Sequence, residues 1–417
     1  MGGGKTSAAI TYINDHPEKK FLYITPYLDE ATRVNKACPA ANFMEPSDKI
    51  KGCGFKKWKH TLKLLEEERN VASTHAAAVY YTPEMLEKLK EKDYTIIIDE
   101  SVNAFEQGIG ISNADVEMLV ESGYMSRRED GTLVAGKRKY PEDGKYSHII
   151  HTLLTRPLLR LKNDKSETAK TKKEYLWYWV FPKEFLTCVE DVIVLTYMFE
   201  GSMMESWLNV CEIDYRYIGV SRSECGKYRF SDKLDYMPEY VRSIKNLVHV
   251  VHHDKMNAIG GDRRTDTNLS KGWFKSHPDG IEKLRRNLVN YYRNLTHVST
   301  KEKLCGVYPE PGIWSKLRGD GFRNRKLTYN QRSTNAYKAA NTLAYLVNVY
   351  PNKSVYGWFY KSGFPFDQDK YALSTMIQWI WRSAIRDGEE ITIYVPSMRM
   401  RMLLEEWMER LSNGEHA

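Results

Sequence analysis

The 417-residue chain lacks several features that would assign it to a class at once. Its six cysteines form no CxxC pair, which argues against a zinc ribbon and favours reduced thiols in a cytoplasmic protein. It has no run of about eighteen apolar residues and no visible signal peptide, so we expect no membrane span. It also has no short internal repeat. What remains is a globular protein long enough for two or three domains.

Positive charge is in mild excess. The chain has 62 Lys and Arg residues against 54 Asp and Glu residues, which gives a net charge of +8. This excess suits a nucleic-acid partner, although many basic proteins bind none. The hydrophobic fraction of 42% supports well-packed cores.

The chain begins with Gly2-Gly3-Gly4-Lys5-Thr6, which matches the end of a phosphate-binding loop. Glycines let backbone N–H groups approach phosphates, and the following helix adds its positive N-terminus. Lys5 would contact the β- and γ-phosphates of ATP, and the Thr6 hydroxyl would bind Mg²⁺. The alternative is a glycine-rich, disordered terminus. A full loop normally follows a hydrophobic strand, and none precedes this one. We therefore expect an upstream segment to be missing and the first sheet to lack its first strand.

The apolar segment 94–98 ends in Asp99-Glu100 and predicts a buried strand that delivers two carboxylates. Asp99 would hold Mg²⁺, mostly through water, and Glu100 would orient or deprotonate the attacking water. The alternative is a strand that ends in an ordinary acidic turn.

Strands and helices alternate along the chain, which predicts an α/β fold with parallel sheets. In the first half, strands at 20–25, 71–75, 94–98 and 191–199 would carry polar residues at their carboxyl ends, where parallel sheets bind ligands. In the second half we predict a strand at 326–330, a helix at 335–348, a strand near 354–360, a helix at 371–386, a strand at 391–396 and a helix from about 398 to 411. The predicted domain boundary lies between residues 205 and 206.

Three further segments are notable. Residues 163–174 are polar and lysine-rich and predict an exposed loop. The aromatic run 175–181 is either buried or stacked on nucleic-acid bases. Gln378, Arg382 and Arg386 are spaced to share one face of a helix, and the arginines would bind either solvent or a triphosphate.

The glycine-rich loop, the Asp99-Glu100 strand and the Gln–Arg–Arg helix resemble motifs I, II and VI of superfamily 2 helicases. The chain is most similar to DEAD-like DNA helicases encoded by bacteriophages, over most of its length and least over 104–174 and 213–320. In two respects it departs from the family. Arg386 comes eight residues after Gln378, with Trp381 and Ile385 in place of glycines, and motif II reads Asp-Glu-Ser-Val.

The resemblance implies two RecA-like domains with ATP in the cleft between them and a nucleic-acid strand across both. Gly2 to Thr6 would bind ATP, with Thr6 and Asp99 at Mg²⁺ and Glu100, Gln378, Arg382 and Arg386 in catalysis. Residues 196–202 match the motif that couples hydrolysis to strand binding. The residues implied to contact the strand are Thr25, Pro26, Arg33, Ser73, Thr74, Asn330, Thr334 and Asn335.

The expected function is that of an ATP-dependent helicase or translocase acting on single-stranded or forked nucleic acid, with DNA implied by the resemblance. Replication proteins are possible partners, and a phage-encoded protein would act in the host cytoplasm. Two alternatives remain open. One is a nucleic-acid-binding clamp whose ATPase has decayed, and the other is a packaging ATPase of the terminase type.

Overall fold

The structure, a computed structural model, describes residues 3–26, 28–50, 53, 57–108, 111–162, 175–234, 239–331 and 336–415. The chain divides into two compact units. The first comprises Gly4–Asp232 and Asn352–Phe366, and the second is mainly Lys233–Pro351 and Asp367–Ala417. The division therefore falls after residue 232, whereas the sequence predicts a boundary at 205/206, and a segment from the second half belongs to the first unit. Within the described ranges, no helix is both long and apolar enough to cross a membrane.

The elements between Lys5 and Ser231 include both helices and strands. In order they are α1 (Lys5–Asp15), β1 (Lys20–Thr25), α2 (Leu28–Ala37), α3 (Lys57–Glu66), β2 (Val71–Thr74), α4 (His75–Ala78), α5 (Pro83–Glu91), β3 (Tyr94–Asp99), β4 (Phe105–Gln107), α6 (Asn113–Glu121), β5 (Met125–Arg127), β6 (Leu133–Ala135), α7 (Ser147–Leu153), β7 (Leu158–Lys162), β8 (Tyr175–Val180), α8 (Glu184–Thr187), β9 (Val192–Leu195), α9 (Met203–Val210), β10 (Gly219–Arg222) and β11 (Tyr228–Ser231).

A four-stranded parallel sheet, here called the N-terminal sheet, has the order β2-β1-β3-β9. Its strands are short apolar runs, as expected when helices cover a parallel sheet. α1 packs on it through Ala9 and Ile13, which join Phe21 and Ile97 in one buried cluster. The described residues that precede α1 are Gly3 and Gly4.

A five-stranded antiparallel sheet, here called the insert sheet, has the order β4-β8-β7-β6-β5 and is inserted between β3 and β9. Trp177 and Trp179 of β8 lie in its buried core with Leu158 and Val116. Of the two alternatives for the aromatic run, burial is therefore correct for residues 177–181. The lysine-rich loop predicted at 163–174 lies outside the described residues.

The remaining elements are α10 (Glu239–Arg242), α11 (Ile244–Leu247), β12 (Val248–Val250), α12 (Asp254–Asn257), α13 (Trp273–Ser276), α14 (Pro278–Asn290), β13 (Lys303–Val307), α15 (Pro311–Leu317), β14 (Lys326–Thr328), β15 (Thr342–Tyr345), α16 (Lys353–Lys361), α17 (Gln368–Ile380), β16 (Ile391–Tyr394) and α18 (Met398–Ser412). The C-terminal sheet is fully parallel, with the order β12-β16-β15-β13-β14. The predicted α/β fold with parallel sheets is thus confirmed.

Two predicted elements in this half are wrong. The helix predicted over 335–348 is replaced by β15, whose four residues are all buried between β13 and β16. The strand predicted near 354–360 is α16, which begins after Asn352 because the Asn352 side chain accepts hydrogen bonds from the backbone N–H groups of Ser354 and Val355. A short apolar run does not distinguish a buried strand from a buried helix by its periodicity.

Candidate phosphate-binding site

The carboxyl ends of the N-terminal sheet gather the residues of the predicted ATP site. In the strand register Thr25 pairs with Thr74, and Asp99 pairs with Leu195, so these residues lie along one edge of the sheet. Lys5, at the start of α1, comes close enough to Asp99 and Glu100 for both charges to act on its amino group. Its Nζ atom lies 5.5 Å from the centre of the Tyr197 ring, in the segment after β9. The structure therefore brings Lys5, Asp99 and Glu100 into one site.

The charges in this site are poorly solvated. Burial lowers the pKa of Lys5, and the negative charges of Asp99 and Glu100 act in the opposite direction. Burial raises the pKa of Asp99 to about 7, and the charges of Glu100 and Glu30 add to this effect, against Arg33 and Lys5. The site holds more carboxylates than its cations balance, so it favours a bound cation.

The backbone at the end of β3 is held firmly. The Glu100 N–H donates to the Leu195 carbonyl over 2.9 Å, and His75 Nε2 donates to the Asp99 carbonyl oxygen over 2.8 Å. Glu100 has a φ of 63°, in the left-handed region that side chains other than glycine rarely adopt. Strain of this kind costs about 1–2 kcal/mol and is concentrated at functional sites. The fold tolerates it at the residue predicted to orient water.

The hairpin of β10 and β11 packs on α1 and reaches the glycine loop. Arg229 of β11 forms an ion pair with Asp15 at the end of α1 (2.9 Å), and Phe230 packs on the same buried cluster as α1. Gly4 precedes α1 with a φ of 79°, and a Cβ built on it would lie 2.2 Å from Cδ1 of the Tyr228 ring. No local pattern in the sequence indicated that Tyr228 lies against this loop. Gly2 lies outside the described residues.

The donor set suits Mg²⁺ bound together with a nucleotide. The described residues contain no group of three or more His, Cys, Asp or Glu side chains that could hold a metal by themselves. Mg²⁺ needs no such group, because it usually takes one or two carboxylates and completes its shell with phosphate and water oxygens. The Asp99 carboxylate, surrounded by excess negative charge, is a group of the kind that Mg²⁺ takes, and Thr6 follows Lys5 in the sequence.

The residues predicted to contact a strand differ in accessibility. Thr25 and Ser73 are buried, at 0% and 2% exposure, whereas Pro26 and Thr74 are partly exposed at the same sheet edge. Arg33 forms an ion pair with Glu30 on α2. In the second unit Asn330 is exposed in the turn after β14, and Thr334 and Asn335 lie outside the described residues.

The helix predicted to carry Gln378, Arg382 and Arg386 on one face is shorter than expected, so that prediction is wrong. α17 ends at Ile380, Ser383 is extended, and Ala384–Asp387 form a 3₁₀ turn. The chain leaves the helix because the Ala384 N–H donates to the Ala340 carbonyl (2.9 Å). Arg382 is buried and its Nε donates to the Gln378 carbonyl over 3.2 Å, whereas Arg386 is exposed.

Comparison with known proteins adds a relative and a family match. Residues 242–408 match the family profile described as the YonV C-terminal Rossmann-like domain, a region that contains the whole C-terminal sheet. The chain is 29% identical over 418 residues to the SPbeta prophage-derived uncharacterized protein YonV of Bacillus subtilis (strain 168), covering 98% of this chain and 97% of that protein. The prophage origin of that relative agrees with the resemblance to phage proteins.

Two solved structures are similar in overall fold at a low level. One is described as XPD_APO, with 10% identity and a TM-score of 0.46 over 98% of this chain and 93% of the other. The second is described as the structure of S. tokodaii Xpd4, with 12% identity and a TM-score of 0.45 over 97% and 92%.

Replacing Gly4 with Ala should be far more damaging than replacing Gly3. At Gly4 the added Cβ meets both a positive φ and the Tyr228 ring, whereas at Gly3 it meets nothing within 4 Å. We expect Gly4→Ala to lower the free energy of unfolding by about 1–3 kcal/mol and to weaken nucleotide binding. Thermal unfolding and binding of a fluorescent ATP analogue measure the two effects. Equal behaviour of the two variants would contradict the described loop geometry.

Asp99→Asn should stabilise the metal-free protein at high pH. The raised pKa of Asp99 means that the folded state binds its proton more tightly than the unfolded state does. The stability from this proton is present below the unfolded pKa of 3.8 and is lost as the pH rises through about 7. With EDTA present we expect Asn to raise the free energy of unfolding at pH 8, by at most about 4 kcal/mol, and to have little effect near pH 4. Asp143→Asn, at an exposed position, is the control. A destabilised Asp99→Asn variant at pH 8 would refute the assigned electrostatics.

Replacing Arg382 with Ala should destabilise the protein more than replacing Arg386 with Ala. Loss of the buried Arg382 side chain removes its hydrogen bond to the Gln378 carbonyl at the end of α17 and leaves a gap. We expect Arg382→Ala to lower the free energy of unfolding by about 2–3 kcal/mol and Arg386→Ala to change it by less than about 0.5 kcal/mol. Urea titration followed by circular dichroism makes the comparison. Similar losses for both would show that Arg386 also supports the fold.

Proposed function

We propose that this protein is an ATP-dependent helicase or translocase that moves along a nucleic-acid strand, with DNA as its substrate. One observation carries the proposal: Lys5, Asp99 and Glu100, about ninety-five residues apart in sequence, meet at the carboxyl edge of the N-terminal sheet beside the start of α1. Parallel α/β sheets bind ligands at this edge, and the start of a helix attracts phosphate. The resemblance of the motifs to those of superfamily 2 helicases then selects ATP as the ligand.

Each residue has a task that its position supports. The Lys5 ammonium would neutralise charge on the β- and γ-phosphates, next to the N–H groups at the start of α1. Glu100, fixed by its backbone in a strained conformation, would orient the attacking water and accept its proton. Thr6 and Asp99 would hold Mg²⁺, which balances phosphate charge when bound. The segment from Thr196 to Ser202 follows β9, next to β3, and Tyr197 reaches Lys5. It would therefore sense the state of the nucleotide.

The arginine of motif VI is best assigned to Arg386. An arginine that stabilises the transition state must be able to approach the phosphates, and it contributes about 10³–10⁵ in rate. Arg382 is buried and hydrogen-bonded to its own helix, so it acts in the fold. Arg386 is exposed on a 3₁₀ turn, and Gln378 is partly exposed on α17.

Strand contacts would come from partly exposed groups at the edge of the N-terminal sheet. Pro26, Thr74 and Arg33 can reach a phosphate without unfolding, while the buried Thr25 and Ser73 would support the backbone beneath them. In the second unit, the residues that we propose to contact the strand are Asn330, Thr334 and Asn335. Replication proteins at a fork and the cytoplasm of a phage host are the partners and compartment consistent with this role.

A nucleic-acid-binding clamp with a decayed ATPase is the second candidate. The observation that favours it is the Tyr228 ring, which lies directly against Gly4 in the loop that would have to admit the phosphates. Such a protein would hold nucleic acid equally well with and without ATP and would release no phosphate.

Substitutions of Lys5 and Glu100 separate the candidates. We expect Lys5→Ala to abolish ATP binding and strand-stimulated hydrolysis, because it removes the ammonium that would contact the β- and γ-phosphates. We expect Glu100→Gln to retain ATP binding but to lower the rate by about 10²–10⁴, because the amide cannot accept a proton. Phosphate release with and without a single-stranded oligonucleotide gives the rates, and EDTA should abolish them.

Lys19→Ala is the matched control. Lys19 lies in the same unit, partly exposed in an ion pair with Asp191 at 3.2 Å. Its replacement should leave the rate within about twofold. Hydrolysis by Lys5→Ala at the wild-type rate would rule out the ATPase assignment. Absence of hydrolysis in the wild type, with unchanged strand binding, would favour the clamp.

A further inference from the structure

A pocket in the first unit has no role in the predicted ATP site. It has a volume of about 530 Å³ and lies between the end of β7 in the insert sheet and one side of α16. This volume falls in the range of pockets that hold small organic groups, which is about 300–1,000 Å³. The pocket lies entirely within residues assigned to the first unit. It is therefore a feature of that unit alone.

The lining of the pocket combines positive charge with aromatic rings. Its cations are Arg160, Lys162 and Lys361, its rings are Tyr356, Trp358 and Tyr360, and none of the described lining residues is acidic. Tyr360 has 66% of its surface exposed, which is unusual for a large aromatic side chain. The Arg160 guanidinium also lies 4.3 Å from the centre of the Tyr175 ring. Cations interleaved with accessible rings are the combination that binds phosphates and stacks on bases.

The walls of the pocket are held by packing and do not depend on a ligand. The Tyr178 hydroxyl of β8 donates to Asn352 Oδ1, the atom that caps α16 (3.3 Å). The Trp358 ring lies 5.1 Å from that of Phe105 and 6.2 Å from that of Trp207, measured between ring centres. The start of α16 and the Trp358 ring are thus pre-positioned, which reduces the entropy that binding must overcome.

Gly357 in the middle of α16 supports a binding role. A glycine inside a helix is destabilising relative to alanine and needs a reason. Gly357 has no positive φ, and a Cβ built on it meets nothing within 4 Å, so neither backbone conformation nor close packing requires it. The missing side chain instead leaves space in the pocket, which Gly357 lines.

We propose that this pocket, between β7 and α16, is a binding site for single-stranded nucleic acid, with the cations on phosphates and the exposed rings on bases. The rings favour a nucleic acid over an acidic peptide, which would need the cations alone. The proposal deepens the proposed function, on which its biological role rests, by adding a strand-binding site outside the predicted motifs. Binding of the strand to this pocket requires no ATP.

The test measures anisotropy of fluorescein-labelled oligo(dT) and oligo(U) with the full chain, without ATP, over a range of salt concentrations. The double variant Arg160→Gln/Lys361→Gln should raise Kd by about tenfold or more and reduce the slope of log K against log salt by about 1.4, because two phosphate contacts are lost. Tyr360→Ala should raise Kd by about tenfold with an unchanged salt slope, because it removes stacking alone.

Gly357→Leu blocks the pocket without removing a contact and should also weaken binding, while its unfolding temperature stays at or above that of the wild type. Lys353→Gln is the matched control, since Lys353 is an exposed cation on the same helix that does not line the pocket. It should change Kd by less than about twofold.

Wild-type affinity in the double variant and in Gly357→Leu would overturn the pocket assignment. Displacement of the oligonucleotide by an equal concentration of poly-glutamate would overturn it as well, in favour of an acidic peptide. Failure of the proposed function shows separately, as absence of ATP hydrolysis by the wild type. Lys5→Ala should lose hydrolysis and keep this nucleotide-independent binding, so the two failures are distinguishable.

Discussion

The enclosure of an ammonium and two carboxylates at one edge of the N-terminal sheet is the constraint on which the first unit depends. Taking Lys5, Asp99 and Glu100 out of water is unfavourable, and their mutual attraction offsets only part of the loss, as the raised pKa of Asp99 shows. The register of β1, β3 and β9, the bond from Glu100 to Leu195 and the bond from His75 to Asp99 all maintain that arrangement. A fold selected for stability alone would place apolar residues here. The arrangement is intelligible as a site for a charged ligand.

The insertion between β3 and β9 explains how the first unit accommodates a second sheet. The two strands are hydrogen-bonded, parallel neighbours, so the 92 residues between Asp99 and Val192 leave at the carboxyl edge of the sheet and return at its amino edge without disturbing the pairing. The insert sheet has its own aromatic core. It is also covered by α16, which comes from the second half of the chain and is joined to the insert by the Tyr178–Asn352 hydrogen bond. The units are therefore discontinuous in sequence, and the chain passes between them on both sides of α16.

Local patterns predicted the parts of this structure that local forces determine. The apolar run before Asp99 and the glycines before Lys5 were sufficient for β3 and the start of α1. Distant contacts determined the rest. β15 is a strand because β13 and β16 flank it, and α17 ends early because Ala340 offers its carbonyl to Ala384. The flanking strands of β15 and the Ala340 partner of Ala384 are all distant in sequence, so the residues next to β15 or Ala384 do not reveal them. The same holds for Tyr228 at Gly4 and for α16 in the first unit, and these are the contacts that decide which side chains reach each site.

Gly4 and Gly357 are glycines for different physical reasons, which the structure distinguishes and the sequence does not. Gly4 has a positive φ and an aromatic ring against its Cα, so its backbone conformation and its packing each require the absence of a side chain. Gly357 has neither constraint, and a helix interior disfavours glycine. When conformation and packing are both excluded, the remaining use of a glycine is the volume that it leaves empty. At Gly357 that volume belongs to a pocket bordered by three cations and three aromatic rings. An accessible ring can stack on a base while the cation beside it binds the phosphate. Both groups then exchange water for a favourable partner, so desolvation costs little.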